Sequence, residues 1–333
     1  MKMYLKNGYL NCAGLLDSGY TFIFGVGARG IGKTYGFLNE LKKRGKKFIL
    51  LRLKQDEADL ISSEVANPFK AIPGAGVEAK KVNKYIGGYY AEGKLIGICM
   101  ALSTFANTRG MNFEDYDYIF LDEAIPEKHM KRIPALGEAL KNAYETVNRN
   151  RELQGRPPVV LVVMANSLNL NSDILISFGL IDVIHKMNKT GQEIFYDKSR
   201  SLIMIYPKHS PISGKKAETA LYKLEGRYSE MALQNEFREF FNGNIKSMNL
   251  KAYKPLCIYD NLCIYRSTQA DWKIYITETR KGNFYDIYSN TDYENIAFKR
   301  KYLWLFDEYF SGSVTFEKAE LELIFCNLFK ICK

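Results

Sequence analysis

Residues 20–34 read YTFIFGVGARGIGKT. The apolar run Tyr20–Val26 predicts a buried strand, and Gly27–Thr34 fits the pattern G-x-x-x-x-G-K-[ST] in full. Helix-prone residues follow from Lys33 to Arg44. Glycines let the backbone wrap around a phosphate group and turn its N–H groups inward, and the N-terminus of the next helix adds positive potential. The stretch therefore predicts a strand, a phosphate-binding loop and a helix, in that order.

The loop predicts a site for ATP and Mg²⁺. Lys33 is expected to contact the β- and γ-phosphates, and the Thr34 hydroxyl is expected to bind Mg²⁺. Arg29 is expected either to organise the loop or to contact the γ-phosphate. The remaining loop residues are expected to surround the phosphates: Gly27, Ala28, Gly30, Ile31 and Gly32.

Polar side chains follow two other predicted strands. Asp122 and Glu123 come directly after the apolar run Tyr116–Leu121, and Asn166 follows Val159–Ala165. Ligands bind at the carboxyl edge of a parallel sheet, so we expect all three beside the phosphate loop. Asp122 is predicted to hold Mg²⁺, directly or through water, and Glu123 to polarise the water that attacks the γ-phosphate. Asn166 is predicted to sense the γ-phosphate or, alternatively, to cap a turn.

Three arginines are candidates for action on ATP bound by a neighbouring subunit. Arg149 and Arg151 end the predicted helix 134–151, and Arg109 lies in a loop. A guanidinium supplied by a neighbour stabilises charge on the transferring phosphoryl group. The alternative is that these cations complement the helix dipole.

The wider pattern predicts two domains. Apolar runs alternate with helical stretches over residues 1–197, which favours a mostly parallel sheet covered on both faces. Short aromatic runs at 77–102 predict antiparallel hairpins inserted into this sheet. We expect a linker or small helical hub at 198–245 and a smaller α+β domain at 246–333.

The composition limits the functional classes. Lys and Arg exceed Asp and Glu by 10, and the pI is near 9.1, which favours a polyanionic partner. No apolar run approaches the roughly 20 residues of a membrane span, so we expect a soluble, intracellular protein. The six cysteines and three histidines are dispersed, which argues against a zinc site or a disulfide framework.

The motifs in their order resemble those of a known family. GARGIGKT, FILLRL, YIFLDE and TVNRNRE follow one another, and GRYSEMALQNEF comes later, at residues 226–237. Together they resemble the DNA-encapsidation ATPase of small tailed phages with protein-primed genomes, the phi-twenty-nine-like group, which is related to the large terminases. The resemblance is specific in the first half of the chain and loose after residue 245.

This resemblance implies an α/β P-loop ATPase of the type with an additional strand and a catalytic glutamate (ASCE). It implies a homo-oligomeric ring, expected to be pentameric, on the portal of an empty procapsid in the host cytoplasm. The ring would drive double-stranded viral DNA inward with a phage-encoded packaging RNA. Arg149 falls on the family's trans-acting arginine, and Arg109 on a basic loop residue of the subunit interface.

The C-terminal half resembles the RNase H-like nuclease domain of large terminases. Its carboxylates Asp260, Asp271 and Asp286 fall in or near predicted turns, without the paired acids of a two-metal nuclease. We therefore expect a vestigial fold that binds nucleic acid and does not cut it. Candidate DNA contacts in the first half are Lys80, Lys81 and Lys84, which lie close to tyrosines.

Two other functions stay open on the sequence. One is another nucleic-acid-stimulated ATPase, such as a helicase or a DNA transporter. The other is a switch or scaffold protein that hydrolyses ATP slowly, against which Glu123 argues.

Overall fold

The computed structural model describes residues 1–27, 30–108, 110–125, 135–165, 172–207, 210–212, 244–269 and 273–329. The chain divides into two compact units, Met1–Phe178 with Lys186–Glu236 and Gly179–His185 with Phe237–Lys333.

The first unit is built around a sheet of nine described strands. They are β1 (Phe22–Val26), β2 (Lys47–Arg52), β3 (Val77–Lys81), β4 (Ile86–Ala91), β5 (Lys94–Ala101), β6 (Tyr116–Leu121), β7 (Val160–Ala165), β8 (Ile194–Asp197) and β9 (Leu202–Ile205). Their order is β3-β4-β5-β2-β6-β7-β1-β9-β8. All pairs from β5 to β9 in this order are parallel, whereas β3–β4–β5 and β8–β9 are antiparallel. The predicted mostly parallel sheet with inserted hairpins is confirmed.

The central strands are buried on both faces. Ile23, Phe24, Phe48, Ile49 and Phe120 are all fully inaccessible to solvent. Continuous apolar runs of this kind are typical of parallel strands covered by helices on each side.

Helices connect these strands. They are α1 (Cys12–Leu16), α2 (Lys33–Lys43), α3 (Gln55–Ile61), α4 (Leu136–Asn148) and α5 (Asp173–Ser177), with 3₁₀ turns at Pro68–Ala71, Leu102–Thr108 and Glu152–Gln154. A further helix, α6 (Ile181–Thr190), belongs to the second unit up to His185 and to the first unit from Lys186. Two features differ from the sequence prediction, one for a local reason and one for a tertiary reason.

The polar, helix-prone residues from Gln55 to about Asn67, before Pro68, predict a helix over this stretch. The helix ends at Ile61. Ser62 and Ser63 follow, and their hydroxyls donate to the carbonyls of Asp59 and Leu60 at 3.2 and 2.6 Å. Serine side chains that bond the backbone in this way compete with further helical hydrogen bonds.

Strand β9 lies beside β1 in the large sheet, although its residues fall within the segment 198–245 that we expected to be a linker. Its four residues are all buried. The first unit therefore extends beyond residue 197. The polar composition of residues 217–241 predicts a helix within that expected linker. This stretch and the segment 226–237 lie outside the described residues.

The second unit holds a six-stranded sheet in the part of the chain described. Its strands are β10 (Asn244–Ile245), β11 (Tyr253–Tyr259), β12 (Leu262–Ser267), β13 (Ile274–Thr277), β14 (Ile287–Tyr288) and β15 (Val314–Phe316), in the order β10-β15-β13-β12-β11-β14. A 3₁₀ turn, Leu250–Ala252, precedes β11. Strands β11–β13 are antiparallel, and β14 and β15 run parallel to their neighbours β11 and β13. The helices are α7 (Asp292–Tyr302), α8 (Trp304–Phe310) and α9 (Ala319–Phe329).

The α+β character predicted for the C-terminal half is confirmed. One boundary differs. The pattern of residues 316–331 predicts a helix, but Phe316 belongs to β15, and α9 begins at Ala319. Val314 and Phe316 are buried, and the strand pairs with β13. Their β-propensity and this tertiary pairing override the local helical pattern.

Candidate nucleotide-binding site

The sheet brings the phosphate loop and the acidic pair to one edge. Strand β7 lies between β1, which leads into the loop, and β6, which leads into Asp122 and Glu123. The N–H of Gly27 donates to the carbonyl of Ala165 at 3.2 Å, and the N–H of Ala124 donates to that of Met164 at 2.9 Å. The carboxyl ends of the three strands are thereby joined by backbone hydrogen bonds.

The loop has the backbone that its glycines permit. Gly30 and Gly32 have φ angles of 73° and 83°, in the left-handed region that favours glycine. Lys33 begins α2 and is 6% exposed, and its Nζ donates to the carbonyl of Gly27 at 2.9 Å. This bond places the ammonium across the loop that its own backbone forms. Ala28 and Arg29 lie outside the described residues.

Thr34 and Asp122 meet as expected of two ligands of one cation. Thr34 Oγ1 donates to Asp122 Oδ2 at 2.8 Å, and Asp122 is 4% exposed. Burial raises the pKa of the Asp122 carboxyl, whereas Arg52, the Thr34 hydroxyl and Lys33 act to lower it. A hydroxyl and a carboxylate are the hard oxygen donors that Mg²⁺ prefers, so the donor set fits this metal.

Arg52, for which the motifs predict no role, bridges the acidic pair. Its Nη1 lies 3.4 Å from Asp122 Oδ2, and its Nη2 donates to Glu123 Oε2. Its Nε lies 3.9 Å from Glu57 Oε2. Arg52 ends β2, the strand beside β6, so its position at the end of the apolar run FILLRL was a signal for this contact.

Glu123 is placed to contact both protein and solvent. Its side chain is 52% exposed, and its backbone φ is 54°. The left-handed region costs a residue other than glycine about 1–2 kcal/mol. This conformation turns the chain at the strand end, where Asp122 is buried while the carboxylate of the next residue meets water.

Arg149 lies at the other end of the sheet from the acidic pair. It follows the last residue of α4, is exposed, and donates from Nη2 to the carbonyl of Met111 at 3.3 Å and from Nε to that of Thr146 at 3.2 Å. Helix α4 follows β6 in the chain and ends near the start of that strand. Arg149 is therefore remote from Asp122 and Glu123 of its own chain.

Arg151 is held within its own chain. It is 5% exposed, and it donates to the carbonyl of Tyr116 at 2.6 Å and to Asp117 Oδ1 at 2.7 Å. These bonds fix the start of β6. Arg149 is thus the exposed member of the pair, whereas Arg109 and Asn166 lie outside the described residues.

Lys80, Lys81 and Lys84, the hairpin lysines, lie on β3 and in the turn after it and are exposed. Lys80 pairs with Glu78 at 2.6 Å and Lys81 with Asp59 at 3.2 Å. Their ammonium groups lie at the edge of the sheet that β3 and β4 form, distant from the phosphate loop in strand order.

The candidate acids of the second unit have other partners. Asp286 accepts hydrogen bonds from Lys301 at 2.7 Å and Tyr302 at 2.6 Å, and these bonds hold the pKa of its carboxyl below the usual value. Asp260 lies in the tight turn between β11 and β12, and Asp271 is outside the described residues. Within the described ranges, no group of three or more His, Cys, Asp or Glu residues could hold a metal ion.

The fold and the site together define a class. A phosphate loop after β1, an acidic pair after β6 and the strand β7 between them are the arrangement of P-loop proteins of the ASCE type.

In the portion of the chain that is described, no helix has the length and apolar character of a membrane span.

The chain matches the Podovirus DNA encapsidation protein (Gp16) family over residues 4–246, and it belongs to that family. It is 28% identical over 239 residues to the DNA packaging proteins of Bacillus phages PZA and phi29, which covers 70% of this chain and 67% of each relative. The DNA packaging protein of Bacillus phage B103 is 27% identical over 221 residues, 64% of this chain and 63% of that protein.

Two solved structures share the fold over nearly the whole chain. The bacteriophage phi-29 viral genome packaging motor assembly has a TM-score of 0.67 at 21% identity, with 97% of this chain and 98% of that chain covered. The phi-28 gp11 DNA packaging motor has a TM-score of 0.63 at 18% identity, with 96% of each chain covered. The family resemblance inferred from the sequence motifs is confirmed.

Proposed function

We propose that this member of the DNA encapsidation family is an ATPase motor that moves double-stranded viral DNA into an empty procapsid. The observation that carries the proposal is the contact of Thr34 with Asp122 beside Glu123, at the edge of the sheet that holds the phosphate loop. Membership of the encapsidation family supports DNA as the substrate that is moved.

The residues at this edge have separate roles in ATP hydrolysis. The loop N–H groups and Lys33 would hold the β- and γ-phosphates, and Thr34 with Asp122 would hold the Mg²⁺ ion. When bound, Mg²⁺ neutralises charge on the phosphate oxygens. Glu123 accepts a proton from the water that attacks the γ-phosphate, because its carboxylate is exposed at the strand end.

Arg52 links the acidic pair to the neighbouring strand. Its guanidinium balances the negative charge of Asp122 and Glu123. Thr34 and Asp122 would hold a cation whose charge would balance part of the charge of Asp122, and Glu123 would then be able to exchange its bond to Arg52 for one to water. Arg52 therefore positions the catalytic carboxylate.

Arg149 acts on ATP bound to the next subunit. The strand β6 has six residues, which at about 3.3 Å each separate its start from Asp122 by about 20 Å. Arg149 lies beside the start of this strand, and it is exposed. A ring of subunits, which we expect to be pentameric, would place this arginine at the neighbour's γ-phosphate.

The substrate and docking partners are inferred from charge and family. A net charge of +10 and the exposed hairpin lysines suit contacts to phosphates of any DNA sequence. We propose that the ring docks on the portal vertex of the procapsid in the host cytoplasm, together with a phage-encoded packaging RNA. Cleavage of DNA is not part of the proposal.

The test reconstitutes packaging. Purified chain, empty procapsids, packaging RNA and linear genomic DNA are mixed with MgATP, and released phosphate and nuclease-protected DNA are measured together. We expect both to require DNA and procapsids, and Lys33→Ala to lose both, since it removes the phosphate ligand.

Two outcomes would contradict the motor. ATP turnover that DNA and procapsids leave unchanged, with no protected DNA, would favour a slow switch or scaffold protein. Strand displacement on a forked duplex, again with no protected DNA, would favour a helicase.

A further inference from the structure

An N-terminal hook, residues 3–10, lies against the phosphate loop. The N–H of Leu10 donates to the carbonyl of Ile31 at 2.9 Å, which ties the hook to the loop. Within the hook, Leu5 donates to the carbonyl of Tyr9 at 2.8 Å, and Tyr4 and Leu10 form an antiparallel bridge. Leu10 and Ile31 are buried, so the backbone on either side of this contact is fixed.

The hook places the ring of Tyr9 on the last glycine of the loop. A methyl group added at Gly32 would lie 2.9 Å from Cδ1 of Tyr9, closer than side-chain atoms approach one another. Gly32 therefore lacks a side chain for two reasons, its φ of 83° and the ring above it. Tyr9 is nevertheless 41% exposed, so part of its ring remains open to solvent beside the loop.

The hook also lies on a defined side of the loop. Ser210 Oγ, in the segment after β9, donates to the carbonyl of Gly8 at 3.3 Å. Strand β9 is the neighbour of β1 on the side away from β7 and β6. Tyr9 therefore lies on the β9 side of the phosphate loop, whereas Asp122 and Glu123 lie on the β6 side.

The direction of bound ATP follows from these two sides. The γ-phosphate must face Glu123, on the β6 side of the loop, for hydrolysis. The α-phosphate and the nucleoside therefore extend toward the β9 side. The geometry points to Tyr9 as a stacking platform for the purine base of the bound nucleotide. This inference rests on the proposed function, since it assumes that ATP occupies the loop. An aromatic face suits the role because it offers stacking surface to the base without ordering a long side chain.

The experiment separates base binding from phosphate binding. The affinities of the full chain for MgATP and for magnesium tripolyphosphate, which has no base, are measured by calorimetry for the wild type, Tyr9→Ala and Tyr9→Phe. We expect Tyr9→Ala to weaken MgATP binding about 5- to 150-fold, the loss that removal of one stacked aromatic ring causes. Tripolyphosphate affinity should not change, and Tyr9→Phe should bind both as the wild type does.

Tyr196→Ala is the matched control, because Tyr196 is exposed to nearly the same extent, 42%, in the same unit but contacts Tyr20 at the edge of the sheet. It should change neither affinity. Equal weakening of both probes by Tyr9→Ala would overturn the stacking role, since Tyr9 would then only support the loop. Unchanged MgATP affinity would overturn it as well. Either result leaves the proposed function standing. A wild-type chain that binds neither probe would overturn the proposed function and the stacking role together.

Discussion

Substitution of Arg149 by alanine tests whether this arginine acts between subunits. About 20 Å separate Arg149 from Asp122 and Glu123 of its own chain. The six residues of β6 span this length at about 3.3 Å each, and the 13 residues of α4 span it at about 1.5 Å each. Two unit charges at that distance in water interact by about 0.2 kcal/mol, a factor of about 1.4 in rate. Within its own subunit, Arg149 therefore contributes almost nothing to turnover.

Across a subunit boundary the same residue has a large effect. An arginine supplied by a neighbour is worth about 10³–10⁵ in turnover. Arg149→Ala should keep the MgATP affinity of the wild type and lose the acceleration seen when subunits assemble on procapsids. Released phosphate, measured against protein concentration with and without procapsids, distinguishes the two cases.

Arg151→Ala is the control, because Arg151 is buried and bonded to Asp117 within its own chain. Its loss should lower the free energy of unfolding by about 3 kcal/mol, the low end of the range for a broken buried pair, since Asp117 is partly exposed. Thermal unfolding should show this loss, whereas Arg149→Ala should unfold at the wild-type temperature.

Mixing decides the assignment. Inactive Arg149→Ala subunits combined with inactive Glu123→Gln subunits should recover some hydrolysis, since some interfaces then pair an intact arginine with an intact glutamate. Co-assembly of both variants with no recovery at any ratio would refute the reasoning, and Arg149 would be an ordinary cation at a helix end.

Three further changes have defined outcomes. Glu123→Gln should bind MgATP normally and hydrolyse it at least about a hundredfold more slowly, since it loses the general base; near-normal turnover would remove it from that role. Arg52→Ala should destabilise the chain by about 3–5 kcal/mol in chemical denaturation, because buried Asp122 loses its counter-ion. Mg²⁺ should restore part of this stability, and an unchanged midpoint would contradict the pairing. Double-stranded DNA binding should fall steeply with salt and ignore sequence, and alanine at all three hairpin lysines should reduce the log–log slope by up to about 2.7. The control replaces three lysines at and just beyond the C-terminal end of α2, the end away from the phosphate loop: Lys42, Lys43 and Lys46. An equal reduction of the salt slope by the control would show that the hairpin lysines have no specific role in DNA binding.

The motifs predicted the central part of the site because each depends on local chemistry. Gly30 and Gly32 permit one backbone path, and Lys33 and Thr34 follow them directly. Asp122 and Glu123 end a strand whose apolar pattern is plain in the sequence. The joining of loop and acids at one edge followed from the rule that parallel strands share their carboxyl ends.

The arginines show where pattern alone was insufficient. Arg149 and Arg151 are two residues apart in one helix-terminal segment, and the sequence offered both as candidates. The structure buries Arg151 against Asp117 and leaves Arg149 exposed. Which residue faces solvent depended on how α4 returns to the start of β6.

The sequence by itself determined the phosphate loop, the acidic pair, the alternation of strands and helices, and the family. These features are written in neighbouring residues, whose spacing carries the signal. Only the tertiary structure placed β9 beside β1, Arg52 on the acidic pair and Tyr9 on Gly32. These contacts join residues that are 23 or more positions apart, and no local preference of either partner specifies them. The first two form because the sheet buries its apolar strands in one order, which brings the polar ends of particular strands together. The third forms because the hook is hydrogen-bonded to the loop through Leu10 and Ile31.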